Sequence, residues 1–200
     1  MRTLNLIRLC GVFITMAATC LQASASSDLE ISFSGGAFPL TGAEIYAPAD
    51  QPVIATTADM LAGDIEDVCA VRPAVVGKTG RKPLVIIGTC DNKKVKVLAA
   101  KAGVDLSPVE GAFEKYMIRT VEAPFKGCPA ALFVVGSDPR GAAYGALTIS
   151  ERIGVSPWSW WADVPVSRHD SIYVSADYVS AEPSIRYRGI FINDEDWGLT

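Results

Sequence analysis

Pro183-Ser-Ile-Arg-Tyr-Arg-Gly-Ile-Phe-Ile-Asn-Asp-Glu-Asp-Trp-Gly-Leu-Thr200 is an apolar run that passes straight into a cluster of carboxylates. Ile190, Phe191 and Ile192 read as a short buried strand, and Asn193, Asp194, Glu195 and Asp196 follow with no turn residue between. Polar groups gathered at the C-terminal end of a buried strand are how an α/β barrel presents its reactive side chains. Such a barrel takes roughly 250 residues, so residues 182–200 are expected to supply only its first strand. Strand alternation turns Asn193 and Glu195 to one side and Asp194 to the other. A calcium loop fits poorly, because its ligands need regular alternation around a central glycine.

Ahead of this stretch the sequence predicts a mixed α/β domain. In Ser137-Asp138-Pro139-Arg140, Asp138 is placed to cap a helix with Pro139 at its first position. That helix would bury Ala142, Ala146, Ile149 and Ile153 and end at Gly154. Ile54, Ala58, Leu61, Ile65 and Val68 fall on one face of an earlier helix that Asp50 could cap. Asn92 to Ala102 predicts a third. Strands are expected at 29–34, 43–46, 116–121, 131–135 and 171–175, with Gly35-Gly36 and Pro39 turning between the first two. The runs 74–76 and 83–88 flank Gly77-Lys-Thr-Gly-Arg-Lys82, which reads as a strand, a solvated basic hairpin tip and a strand. The predicted fold class is therefore α/β of the α+β type: an N-terminal mixed sheet backed by helices, then the start of a truncated (β/α)8 barrel. The division expected is 1–25, 26–181 and 182–200.

The first of these segments has Arg2 and Arg8, an apolar run from Leu9 to Leu21, and then Ala23-Ser24-Ala25. This is the pattern of a secretory signal cleaved after Ala25; the run is shorter than the roughly 20 residues of a membrane span. The expected location is periplasmic or secreted, with no membrane attachment after cleavage. Removing Arg2 and Arg8 takes the 18 basic residues to 16 against 22 acidic ones, a net charge of −6. That balance argues against nucleic acid or anionic membrane as partner. Cys69, Cys90 and Cys128 remain, with no C-x-x-C spacing, leaving one disulfide plus a thiol, or three thiols, open.

Several motifs point nowhere further. Gly77-Lys78-Thr79 has Arg72 where a phosphate loop needs glycine. Ser137 has Pro139 where a nucleophile elbow needs glycine, so it reads as a helix-start residue. His169, the sole histidine, sits in an exposed-looking setting, and no metal site is expected. Pro157-Trp-Ser-Trp-Trp-Ala-Asp-Val-Pro165 holds Trp158, Trp160 and Trp161 in a loop suited to an inter-domain interface, with Trp161 a candidate to line a sugar cleft. A free-standing carbohydrate-binding module using these indoles is the competing reading. Arg186 and Arg188 alternate with Tyr187 and are expected in salt bridges at the domain boundary.

Asp138-Pro-Arg-Gly-Ala-Ala-Tyr-Gly-Ala-Leu-Thr-Ile-Ser-Glu-Arg-Ile-Gly154-Val-Ser-Pro-Trp-Ser-Trp-Trp-Ala-Asp-Val-Pro165, followed by Ile185-Arg-Tyr-Arg-Gly-Ile-Phe-Ile-Asn-Asp-Glu-Asp-Trp197, resembles the N-terminal part of glycoside hydrolase family 115, the xylan α-1,2-glucuronidases. The close match covers residues 138–200; residues 26–137 agree in the order of elements. Tyr144-Gly145 and Arg188-Gly189 also resemble the front domain of hexosaminidases. The resemblance implies an inverting hydrolase releasing glucuronic acid or its 4-O-methyl form from glucuronoxylan, needing no cofactor or metal. It implies that Asn193, Asp194 and Glu195 line the sugar pocket, with Asn193 a substrate contact and Asp194 and Glu195 the candidate catalytic carboxylates. In inverting enzymes the two carboxyl groups stand roughly 6.5–9.5 Å apart, so at least one partner is expected downstream of Thr200. The fragment alone is expected to be inactive, without the rest of the barrel; a homodimer of the full-length form is left open.

Overall fold

A computed structural model describes residues 27–48, 50–159, 164–189 and 191. The expected leader, Trp160, Trp161 and the run Asn193 to Asp196 lie outside the described residues. The architecture turns on Leu84–Thr89, strand β5, all six residues of which are buried. A strand buried on both faces must carry a layer on each. Val85 and Ile87 accordingly pack with two helices on one side, α1 (Pro52–Cys69) and α3 (Pro139–Arg152). Leu84 and Ile86 pack on the other side with α2 (Lys93–Ala102). The remaining strands are β1 (Ser27–Ser32), β2 (Phe38–Pro39), β3 (Glu44–Tyr46), β4 (Val75–Val76), β6 (Tyr116–Phe125), β7 (Cys128–Gly136) and β8 (Tyr173–Val179).

The sheet runs β1-β8-β6-β7-β5-β3-β4, with β2 also on β8. From β4 to β7 all pairs are parallel; beyond β7 all are antiparallel. The mixed α/β sheet is thus as expected, and several local expectations change. Residues 74–88 form no hairpin: β4 and β5 each pair in parallel with opposite edges of β3, which lies between them. The first two strands do not meet either, since β1 pairs with β8 while β3 is near the far edge. The last strand begins at Tyr173 rather than Ser171 and runs to Val179.

Ile54, Ala58, Leu61, Ile65 and Val68 of α1 are each at most 1% exposed, as their spacing dictates. The cap is different: Gln51 is the N-cap, with Pro52 at the start of the helix, and makes no side-chain cap bond. Asp50 instead accepts from Asn92 Nδ2 at 3.2 Å, tying α1 to α2. Helix α3 starts as read from sequence, with Asp138 Oδ1 accepting from Gly141 N at 2.8 Å. Its glycine at 141 is dictated by contact: a Cβ there would lie 2.5 Å from the Lys115 carbonyl oxygen. Cys69, Cys90 and Cys128 are three buried free thiols. No helix among the described residues is long and apolar enough to cross a membrane.

Candidate functional site

The boundary segment after β8 is fastened to the four residues that enter β6. Ser180 and Tyr116 exchange bonds, Ser180 N to Tyr116 O at 2.9 Å and Tyr116 N to Ser180 Oγ at 3.0 Å. Phe113 N donates to Glu182 Oε1 at 2.6 Å, and the Arg186 guanidinium stands 5.0 Å above the Phe113 ring. Arg188 then pairs with Glu114. Of the two arginines expected in boundary salt bridges, Arg188 makes one; Arg186 lies over an aromatic ring instead, where a guanidinium gains from the ring quadrupole.

Glu114 is the centre of this arrangement. Its side chain is 1% exposed, and it faces two cations, Arg188 at Oε2 and Arg140 Nη1 at 2.9 Å from Oε1. Oε1 has no hydrogen bond among the described residues, so Arg140 serves it as a charge at contact distance rather than as an aligned donor. The backbone is equally constrained. Glu114 has φ 49°, a left-handed conformation that disfavours a side chain by about 1–2 kcal/mol. Its N–H donates to Asp138 Oδ2 at 2.8 Å, and Lys115 N donates to Ser137 Oγ at 3.0 Å. Asp138 therefore caps α3 with one oxygen and holds Glu114 with the other, while Ser137 acts as the helix-start residue expected of it.

Tyr144, one turn along α3, completes the group. Arg140 Nη2 and Arg188 Nη2 donate to its hydroxyl at 3.1 and 3.3 Å. The bond from Arg188 and then that from Arg140 hold the Tyr144 phenol below its ordinary range. The same contacts hold Arg188 and Arg140 in the charged form. Two cations, one buried carboxylate and a phenol make a charge-assisted clamp. It is a positioning device and contains no acid/base pair.

Beside the clamp a cleft of ≈ 530 Å³ opens between α1 and α3, lined by Met60, Asp64, Tyr144, Leu147, Glu151 and Pro157. Burial is the largest influence on Asp64 and pushes its carboxyl up, against a lowering hydrogen bond from Ser150. Trp158 at the mouth of the tryptophan loop is 62% exposed. His169 is half-buried and stacked on Phe33 at 3.5 Å, not exposed, and takes no part in the cleft. Among the described residues no group of His, Cys, Asp and Glu could hold a metal.

Of the residues singled out from sequence, Asn193, Asp194, Glu195 and Trp161 lie outside the described residues. Phe191, read as part of a buried strand, is 89% exposed and lies in no strand, because no described residue covers it. Sequence reading passed over Glu114, Asp64 and Tyr144 as site groups. The signal that could have found Glu114 is the pair of arginines, Arg140 and Arg188, both inside the motif and both needing an anion.

The chain is 36% identical to a family GH115 4-O-methyl-α-glucuronidase with specificity for decorated arabinogalactans, with a TM-score of 0.64 over 81% of this chain. The match covers 20% of that enzyme, so the chain spans about a fifth of its length. The resemblance to glycoside hydrolase family 115 carried by residues 138–200 is thereby extended across most of the chain. A β-hexosaminidase from Streptomyces plicatus (13% identity, TM-score 0.43, 75% of this chain and 24% of that one) is more distant. So is a β-N-acetylhexosaminidase from Streptomyces coelicolor A3(2) (15%, 0.43, 79% and 25%). Neither bears on activity. No family profile matches the chain, and no match was found among curated proteins.

Proposed function

We propose that residues 26–181 form the front domain of a glycoside hydrolase of the GH115 type and that residues 182–200 open its catalytic barrel, the protein being exported after cleavage at Ala25. The observation that carries this reading is the 36% identity to one such enzyme over 81% of the chain. The boundary segment supports it. Arg186 and Arg188 turn towards the domain, while Ile185, Tyr187 and Phe191 are 62, 88 and 89% exposed. Apolar side chains held outward in this way suit burial in a following domain.

In this reading the Glu114 clamp fixes where the barrel begins. Asn193 follows Arg188 by five residues, a reach of at most about 17 Å, so anchoring Arg188 limits where the acids can stand. Asn193 and Trp161 contact the sugar, and Asp194 or Glu195 supplies one of the two carboxyl groups of an inverting hydrolysis. One group protonates the leaving oxygen and the other activates water. The second comes from sequence beyond Thr200. The product is glucuronic acid or its 4-O-methyl form, from a glucuronic acid-bearing polysaccharide for which glucuronoxylan is the first candidate.

The test is a product extended past Thr200, assayed on glucuronoxylan and on decorated arabinogalactan. Release of glucuronic acid, abolished by Asp194→Asn or Glu195→Gln, is expected. Release by the 200-residue chain alone would contradict the division of labour, and absence of release from either polysaccharide by the extended product would contradict the hydrolase.

A further inference from the structure

A second cavity, of ≈ 620 Å³, lies on the opposite side of the sheet from the clamp's helix, between the segment that follows β4 and the first turns of α2. It is lined by Tyr46, Gly77, Lys78, Thr79, Lys93, Lys94, Val97 and Leu98, of which the chemistry rests on Tyr46 and the three lysines. Lys78 stands on one wall and Lys93 and Lys94 on the other, and none of the three has an ion-pair partner among the described residues. Elsewhere the exposed lysines Lys82 and Lys96 do pair, with Glu44 and Glu110.

Tyr46 is the independent observation. It is 4% exposed, yet its hydroxyl has no hydrogen-bond partner among the described residues. The ring is buried but the hydroxyl is not sealed from solvent, and it opens to the cavity that Tyr46 lines. Burial first, and the nearby Asp50 second, push its phenol up, so it stays protonated and can donate. The location has a topological reason too. Tyr46 ends β3, from which the chain leaves to α1 on one face, while β5 leaves to α2 on the other. Such a reversal at the C-terminal ends of parallel strands is where open α/β sheets bind ligands.

The ligand's chemistry follows from what is already occupied. The N–H groups of Lys94 and Val95 at the start of α2 are taken by Asn92 Oδ1, at 3.0 and 3.3 Å. Asp50 and Asp91 crowd the same helix end. A phosphate seated on the helix N-terminus would find no free donor at those positions, and Asp50, which also acts on Tyr46, opposes any anion at that end of the cavity. What the cavity offers is separated ammonium groups around an apolar floor of Val97, Leu98 and the Tyr46 ring. That arrangement suits carboxylates spaced along a sugar chain whose C–H faces pack on the floor. We propose that this cavity is a non-catalytic binding site for an acidic oligosaccharide, one carrying uronic acid carboxylates, on the front domain. The assignment of sugar rather than another polyanion rests on the hydrolase reading above.

The experiment is titration of the full chain, at low salt, with an oligosaccharide bearing glucuronic acid side chains. The same oligosaccharide with its carboxyl groups reduced and inorganic phosphate serve as comparison ligands. Saturable binding is expected, weakened about tenfold by Lys93→Ala/Lys94→Ala together and a few-fold by Lys78→Ala. Tyr46→Phe, which keeps the ring in place, should weaken it about threefold. The reduced sugar should bind at least about tenfold more weakly. Absence of binding, indifference to the lysines, or phosphate binding as well as the acidic sugar would each overturn the site. The lysines are exposed, so their loss leaves folding intact. Glucuronic acid release by the extended product without binding here would sink this site and leave the hydrolase reading standing; binding here without release would do the reverse.

Discussion

Two groups of cations on this domain meet opposite fates. Around Glu114, Arg140 and Arg188 converge on a carboxylate that is 1% exposed and share the Tyr144 hydroxyl. Around the α2 cavity, Lys78, Lys93 and Lys94 face a space of ≈ 620 Å³ and have no ion-pair partner among the described residues. The side chains suit the difference. A guanidinium is a planar fork that engages a carboxylate and an aromatic ring together, whereas an ammonium is a mobile, strongly hydrated point charge. The comparison teaches that the first group is internal structure, holding a segment in place, and that the second is free to meet something from outside.

The largest expected effect tests the first half of that contrast. Glu114→Ala leaves Arg140 and Arg188 facing each other without the anion, and should lower unfolding stability by about 3 kcal/mol in denaturant titration. Both arginines are partly exposed, at 56 and 33%, and regain some hydration, which keeps the loss at the low end for a broken buried pair. A loss under about 1 kcal/mol would erase the distinction between the two groups. Asp138→Ala should follow at about 2 kcal/mol, because that residue caps α3 and also accepts from Glu114 N–H.

Alkaline titration sharpens the contrast at Tyr144. Its phenol is lowered by two arginine bonds, while burial raises Tyr46 and Tyr116. Ultraviolet absorbance should therefore show one early-ionising tyrosine that disappears in Tyr144→Phe. The raised tyrosines contribute stability that is complete below the ordinary tyrosine range of about 10 and is lost as pH climbs through their folded values. The lowered Tyr144 contributes in the other direction, only once it ionises. The expected net is falling stability above about pH 10, two raised groups outweighing one lowered group. The smallest effect belongs to the cavity: Lys93→Ala/Lys94→Ala should change stability by less than about 0.5 kcal/mol. A larger loss would mean that the lysines are structural after all.

What the sequence made legible was local. The spacing of Ile54, Ala58, Leu61, Ile65 and Val68 is a property of one helix face, and Asp138-Pro139 is a signal contained in two residues. Asp50 misled because Pro52 starts the helix one residue later than a capping aspartate there would require. The pairing of β4 and β5 was not legible, since an apolar run declares that it is a strand but not which strand lies beside it. The clamp was half legible. Arg188 was expected in a salt bridge, but its partner is 74 residues away in a stretch, Gly111-Ala-Phe-Glu114, with no pattern of its own. Phe191 read as buried from its neighbours alone, and it is 89% exposed.

The most direct test of the account is a double-mutant cycle between Glu114→Gln and Arg188→Met, read by denaturant unfolding of the full chain. Each substitution keeps approximate shape while removing one charge. If the clamp holds the boundary segment, the two losses should fall short of additivity by more than about 1 kcal/mol. Strict additivity within about 0.3 kcal/mol would show that Glu114 and Arg188 do not act together, and the anchoring of the segment that leads to Asn193, Asp194 and Glu195 would have to be abandoned.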